Sequence, residues 1–116
     1  IQLKLVAVNA PYFKNADLLI AADCVPFSYA DFHSDFLKNK KILIGCPKLD
    51  DVNFYKNKLT EILKMNEIKS ISIIHMEVPC CFGLNYAVAE AIQDSGKKIP
   101  LKETVISIQG NKKYEK

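Results

Sequence analysis

Short apolar runs recur along the chain, and amphipathic stretches separate them. Leu3 to Val8 reads as a first strand, Leu18 to Ala22 as a second, Ile42 to Ile44 as a third and Ile71 to Met76 as a fourth. The middle runs are continuous rather than alternating, as expected of strands covered on both faces. Val105 to Ile108 alternates loosely and reads as a fifth strand nearer an edge. Helical spacing fills the gaps. Ser28 and Asp31 stand in capping-box positions, predicting a short helix over Asp31 to Asn39 that buries Phe32, Phe36 and Leu37. Asp50 and Asp51 put negative charge where a helix would start. Val52, Tyr55, Leu59, Ile62 and Leu63 then fall on one face of it. An Ala-rich helix from Phe82 to Asp94 carries Leu84, Val88, Ala91 and Ile92 as its buried stripe and stops near Gly96.

Strands alternating with helices predict an α/β domain. Its form is three layers, a mostly parallel sheet of four to five strands with helices on both faces. One domain is expected over residues 1–110, with 111–116 a flexible lysine-rich tail. One joint is awkward: about nine residues join the first two runs, where a parallel crossover wants a dozen or more.

Composition narrows the classes. The chain has 116 residues, 49% hydrophobic and 25% charged, which excludes disorder, collagen-like repeats and a disulfide-dense miniprotein. No apolar run approaches the roughly 18 to 20 residues of a membrane span, so no membrane partner is expected. The sequence opens on Ile1 without a secretory n-region, and reads as a cytoplasmic protein and as part of a longer chain. All 16 cationic residues are Lys, and the net charge is only +3. Without the Arg fork that reads phosphates and bases, a nucleic-acid partner is not indicated. The four Gly stand alone, so no phosphate-cradling loop is present.

The candidate chemistry lies with four cysteines. Cys24 follows the second run, Cys46 the third, and Cys80 and Cys81 the fourth, each with a Pro within two residues. In a parallel sheet the carboxyl ends of the strands share one edge, where ligands bind. Strands about 4.8 Å apart would bring these thiols toward a common centre. Cys80 and Cys81 also precede the last helix, whose amino end favours thiolate. Such a soft donor set suits an iron–sulfur cluster or zinc. Vicinal cysteines cannot easily face one metal together, which leaves one of them spare.

Secondary candidates lie nearby. Asp23 and Glu77 flank the cysteines and offer an oxygen ligand or a proton, and Lys48 adds positive charge. His75 falls within the fourth strand, where a satisfied core His is the ordinary outcome. His33 lies in the short helix. Cys80 or Cys81 as the nucleophile of a thiol-dependent enzyme is the rival reading, and a docking domain without metal is a third.

The blocks Asn9-Ala10-Pro11-Tyr12-Phe13, Ala21-Ala22-Asp23-Cys24-Val25, Cys46-Pro47-Lys48-Leu49-Asp50 and Met76-Glu77-Val78-Pro79-Cys80-Cys81 resemble one family. It is the ferredoxin-like 4Fe-4S binding proteins of anaerobic bacteria and archaea, and the likeness is to their C-terminal α/β domain. The family's N-terminal two-cluster module, with its repeated Cys-x-x-Cys-x-x-Cys segments, has no counterpart in this sequence. The resemblance implies an electron-transfer or accessory domain more than a stand-alone enzyme. The implied partners are that two-cluster module and a redox protein, and a homo-oligomer is compatible with it. Cys24, Cys46, Cys80 and Cys81 are the family's cysteine positions, with a 4Fe-4S cluster as the expected cofactor and zinc the alternative.

Overall fold

A computed structural model describes all 116 residues. The second, third and fourth apolar runs become the strands β1 (Ala16–Ala22), β2 (Lys41–Gly45) and β3 (Ile68–Met76); β4 (Leu101–Ile106) shares only Val105 and Ile106 with the expected fifth run and begins four residues earlier, and a final strand β5 (Lys112–Glu115) follows. They form one sheet in the order β2-β1-β3-β4-β5, parallel except for β5. The expected α/β architecture is thus the observed one.

Strand order decides where the helices lie. The β1-to-β2 connection moves one way along the sheet, and the next two move the other way. Right-handed crossovers therefore put α2 (Val52–Met65) and α3 (Phe82–Ser95) together on one face. The short α1 (Val25–Ser28) and a single π-helical turn, His33–Leu37, belong to the opposite face. Both long helices bury most of the stripe their spacing predicts: Tyr55, Leu59, Ile62 and Leu63 from α2, and Leu84, Val88 and Ala91 from α3, while Val52 and Ile92 are only partly buried and Ala87 joins the buried face unforeseen. The Asp51 carboxylate accepts the Asn53 N–H at 2.8 Å and caps α2. Gly96, at φ 73°, ends α3 in the left-handed conformation.

Three expectations are corrected. Leu3 to Val8 is no strand: only Gln2 bridges to Ile44, and the residues after it form turns. Leu3 and Val6 are nonetheless buried, which is why the segment reads as half of a strand. The awkward nine-residue crossover therefore need not exist. The helix over Asp31 to Asn39 shrinks to the π turn, because the Ser28 hydroxyl donates back to the Cys24 carbonyl at 2.9 Å instead of capping a new helix. Residues 111–116, expected to fray, supply β5. Gly110, at φ 87°, closes the hairpin, and a Cβ there would lie 2.7 Å from the Ser28 carbonyl oxygen. An edge strand buries few side chains and so needs little hydrophobic signal.

Candidate functional site

Sheet topology places the cysteines. Strand order reverses at β1, which lies between β2 and β3, so the crevice between the carboxyl ends of β1 and β3 is the switch point of the fold. Cys24 lies beyond β1, Cys80 and Cys81 beyond β3, and Cys46 beyond β2. All four are free thiols on one edge of the molecule. Their environments differ: Cys24 and Cys80 are exposed, Cys46 is half-buried and Cys81 is buried.

Cys81 departs from expectation. Burial pushes its thiol up, and the neighbouring thiols of Cys80, Cys46 and Cys24 push the same way. A hydrogen bond with the Met76 backbone acts against them without prevailing. A helix amino end favours thiolate, but desolvation outweighs it for this residue.

Cys46 is held by a group that sequence reasoning missed. The Tyr55 hydroxyl, reaching up from α2, accepts the Cys46 N–H at 3.0 Å and donates to Asp50 Oδ2 at 2.5 Å. The Cys46 carbonyl accepts the N–H groups of Leu49 and Asp50, closing the loop on itself. The Tyr55 hydrogen bond draws the Asp50 carboxyl below its usual range, and burial raises the Tyr55 phenol well above its own. Gly45 makes room: a Cβ there would lie 2.8 Å from Tyr55 Cζ and Oη. At the sequence level Tyr55 is one more member of an apolar stripe, and only Asp50, five residues earlier, hinted at a partner for its hydroxyl.

The secondary candidates separate. Asp23 stays at the edge, its N–H bonded to the Gly45 carbonyl and its carboxylate taking the Gln2 amide at 3.3 Å. Lys48 is exposed and forms no ion pair. Glu77 is committed elsewhere: it accepts the Ile108 N–H at 2.7 Å and the Lys113 ammonium at 2.8 Å, and this hydrogen bond to Lys113 lowers its pKa. His33 is exposed, as a surface residue of the π turn. His75 is fully buried under α3, edge-on to Phe82 with ring centres 4.7 Å apart. Its Nδ1–H donates to the Met76 carbonyl at 2.8 Å, and its Nε2 meets Glu103 Oε2 at 2.7 Å. Both ring nitrogens are thus occupied by protein partners.

The donor chemistry suits a soft metal, but the arrangement is not a closed ligand set. No three Cys, His, Asp or Glu side chains are grouped so as to hold a metal ion. The edge presents one thiol fixed by its loop, two exposed and one recessed. No helix is long and apolar enough to cross a membrane.

Comparison with known proteins supplies a family and no activity. An uncharacterized protein of Archaeoglobus fulgidus is 29% identical over 110 residues, which cover 95% of this chain and 77% of the relative. No solved structure matches. Residues 10–115 match the family model described as a Rossmann-like domain. Sheet order, switch point and match agree, and the chain belongs to the Rossmann-like domain family.

Proposed function

We propose that this chain is a thiolate-site domain of an iron–sulfur redox protein, akin to the C-terminal α/β domain of the ferredoxin-like 4Fe-4S binding proteins. The observation that supports it is the delivery of four free cysteines to one edge by three loops that straddle the switch point of the sheet. Cys24, Cys46 and Cys80 are the ligands of first choice, and Cys81 lies behind them as the fourth. The set closes when metal arrives. Binding that is worth roughly 10–16 kcal/mol at a structural zinc site is ample to draw two exposed loop residues inward. Cys46, anchored by Tyr55, is the fixed point on which they close. A bound cluster would supply one-electron transfer, with the two-cluster ferredoxin module as the natural electron partner; zinc would instead tie the three loops together.

Iron, sulfide and zinc content of protein purified without oxygen, with a visible spectrum, tests this. Metal bound to the wild type and lost in Cys46→Ser is the expected result. Metal content unchanged by that substitution, or no metal retained after anaerobic reconstitution, refutes it. In the latter case a thiol chemistry at Cys80 would become the better account.

A further inference from the structure

The sheet face opposite α2 and α3 holds a cavity of about 210 Å³, roofed by the π turn and walled by β5. It has no part in the thiol edge. Ser72 pairs with Lys102, and Ile74 with Thr104, in mid-sheet register, and Lys40 lies at the amino end of β2. Phe36, Leu19 and Ile74 give it an apolar wall. The polar lining is Ser72, Thr104, Lys40, Lys102 and Lys112, with two carboxylates, Asp35 and Glu115.

Most of that polar equipment is already engaged. Glu115 takes Lys102 at 3.0 Å, Lys112 at 3.6 Å and the Thr104 hydroxyl at 3.2 Å. Asp35 accepts the Tyr29 phenol at 2.6 Å. Lys112 also sits 5.5 Å from the centre of the Phe36 ring. Two lining groups have no side-chain partner: the Lys40 ammonium has no carboxylate within 4.0 Å, and the Ser72 hydroxyl makes no hydrogen bond to the protein. Three lysines against two carboxylates leave the cavity one positive charge in excess. Its volume is that of about seven waters at roughly 30 Å³ each.

We propose that this cavity binds a small organic monocarboxylate of about seven to ten non-hydrogen atoms. The carboxylate takes its charge from Lys40 and a hydrogen bond from Ser72, and a short hydrocarbon body lies against Phe36, Leu19 and Ile74. One excess charge matches one carboxylate. A phosphate dianion would leave the lining net negative, and there is no Arg fork to clasp it.

A ¹H–¹⁵N correlation titration with hexanoate, run beside hexanamide and inorganic phosphate, tests the assignment. Hexanoate should give saturating shifts at Lys40, Ser72 and Thr104 with a Kd below about 5 mM. Hexanamide and phosphate should bind at least about tenfold more weakly, the equivalent of losing one charge-assisted contact. Lys40→Met should weaken hexanoate about five- to tenfold and Ser72→Ala by a smaller factor, with the exposed Lys98→Met unchanged; the same spectra report whether each variant is folded. The proposal falls if the shifts do not saturate, if they map elsewhere, if amide or phosphate binds as tightly, or if Lys40→Met and Ser72→Ala both bind like the wild type.

Discussion

Tyr55→Phe isolates one hydroxyl at the base of the thiol edge. The ring stays, so the packing of α2 on the sheet is kept. What is lost is the acceptor for the Cys46 N–H at 3.0 Å and the donor to Asp50 at 2.5 Å. Asp50 can turn to water and to Lys4, 3.4 Å away. The Cys46 amide, facing a buried ring, cannot. An orphaned buried donor costs about 1–3 kcal/mol, and the half-buried position of Cys46 puts the expected loss near the lower end, about 1–2 kcal/mol. Urea unfolding at pH 7 should show a lower midpoint at unchanged slope. A second readout is specific to the loop: Cys46 should react faster with a disulfide reagent, while Cys24 keeps its rate. The effect should also shrink in acid. The Asp50 carboxyl is depressed by this hydrogen bond, so its contribution is present above the unfolded value of about 3.8 and is lost as pH falls through the lower folded value. A midpoint unchanged at pH 7, or a slower Cys46, would refute the claim that the phenol holds this loop.

The same geometry sets further outcomes. Gly45→Ala should cost about 1–3 kcal/mol through overpacking against Tyr55, read by thermal or urea unfolding, and should combine non-additively with Tyr55→Phe because the two share one contact. Gly110→Ala should loosen the β4–β5 hairpin, since it sets a Cβ 2.7 Å from the Ser28 carbonyl oxygen at a φ of 87°; amide exchange of Lys112–Glu115 should accelerate ahead of the core. Glu77 ties the end of β3 to Ile108 and Lys113, and its folded pKa is depressed by the Lys113 hydrogen bond. That tie is present above about pH 4.5 and is lost as pH falls through its lower folded value, so Ile108 amide shifts should move in acid and be flat in Glu77→Gln.

Continuous apolar runs made β1, β2 and β3 legible, since a strand covered on both faces needs hydrophobic residues at nearly every position. The helices were legible through spacing that the sheet then buried: Tyr55, Leu59, Ile62 and Leu63 lie where their period puts them. Leu3 to Val8 misled because burial and strand pairing are different things: Leu3 and Val6 fill the core from turns. Residues 112–115 were missed for the opposite reason, because an edge strand is held by backbone hydrogen bonds that leave no mark on composition. At the site, the shared edge was legible from each cysteine's place after a strand. The depth of each thiol was not, because it depends on how far each loop turns inward. Nor was the Tyr55 anchor, whose partner amide meets the hydroxyl only after the β2 loop has closed.

The central pairing of the sheet bears on how the molecule is made. The Ser70 hydroxyl donates to Asp17 across 53 residues, where β1 meets β3, while β2 and α2 occupy the chain between them. Closing so long a loop delays the core until late in folding. On a ribosome adding about 5–20 residues per second, roughly 3–10 s separate the emergence of the two strands. During that interval Cys24 and Cys46 have left the ribosome with no β3 to complete the sheet behind them. Their thiols are thus open to oxidation and stray metals before the last two cysteines emerge, and the yield of folded protein should depend on how reducing its surroundings are during synthesis.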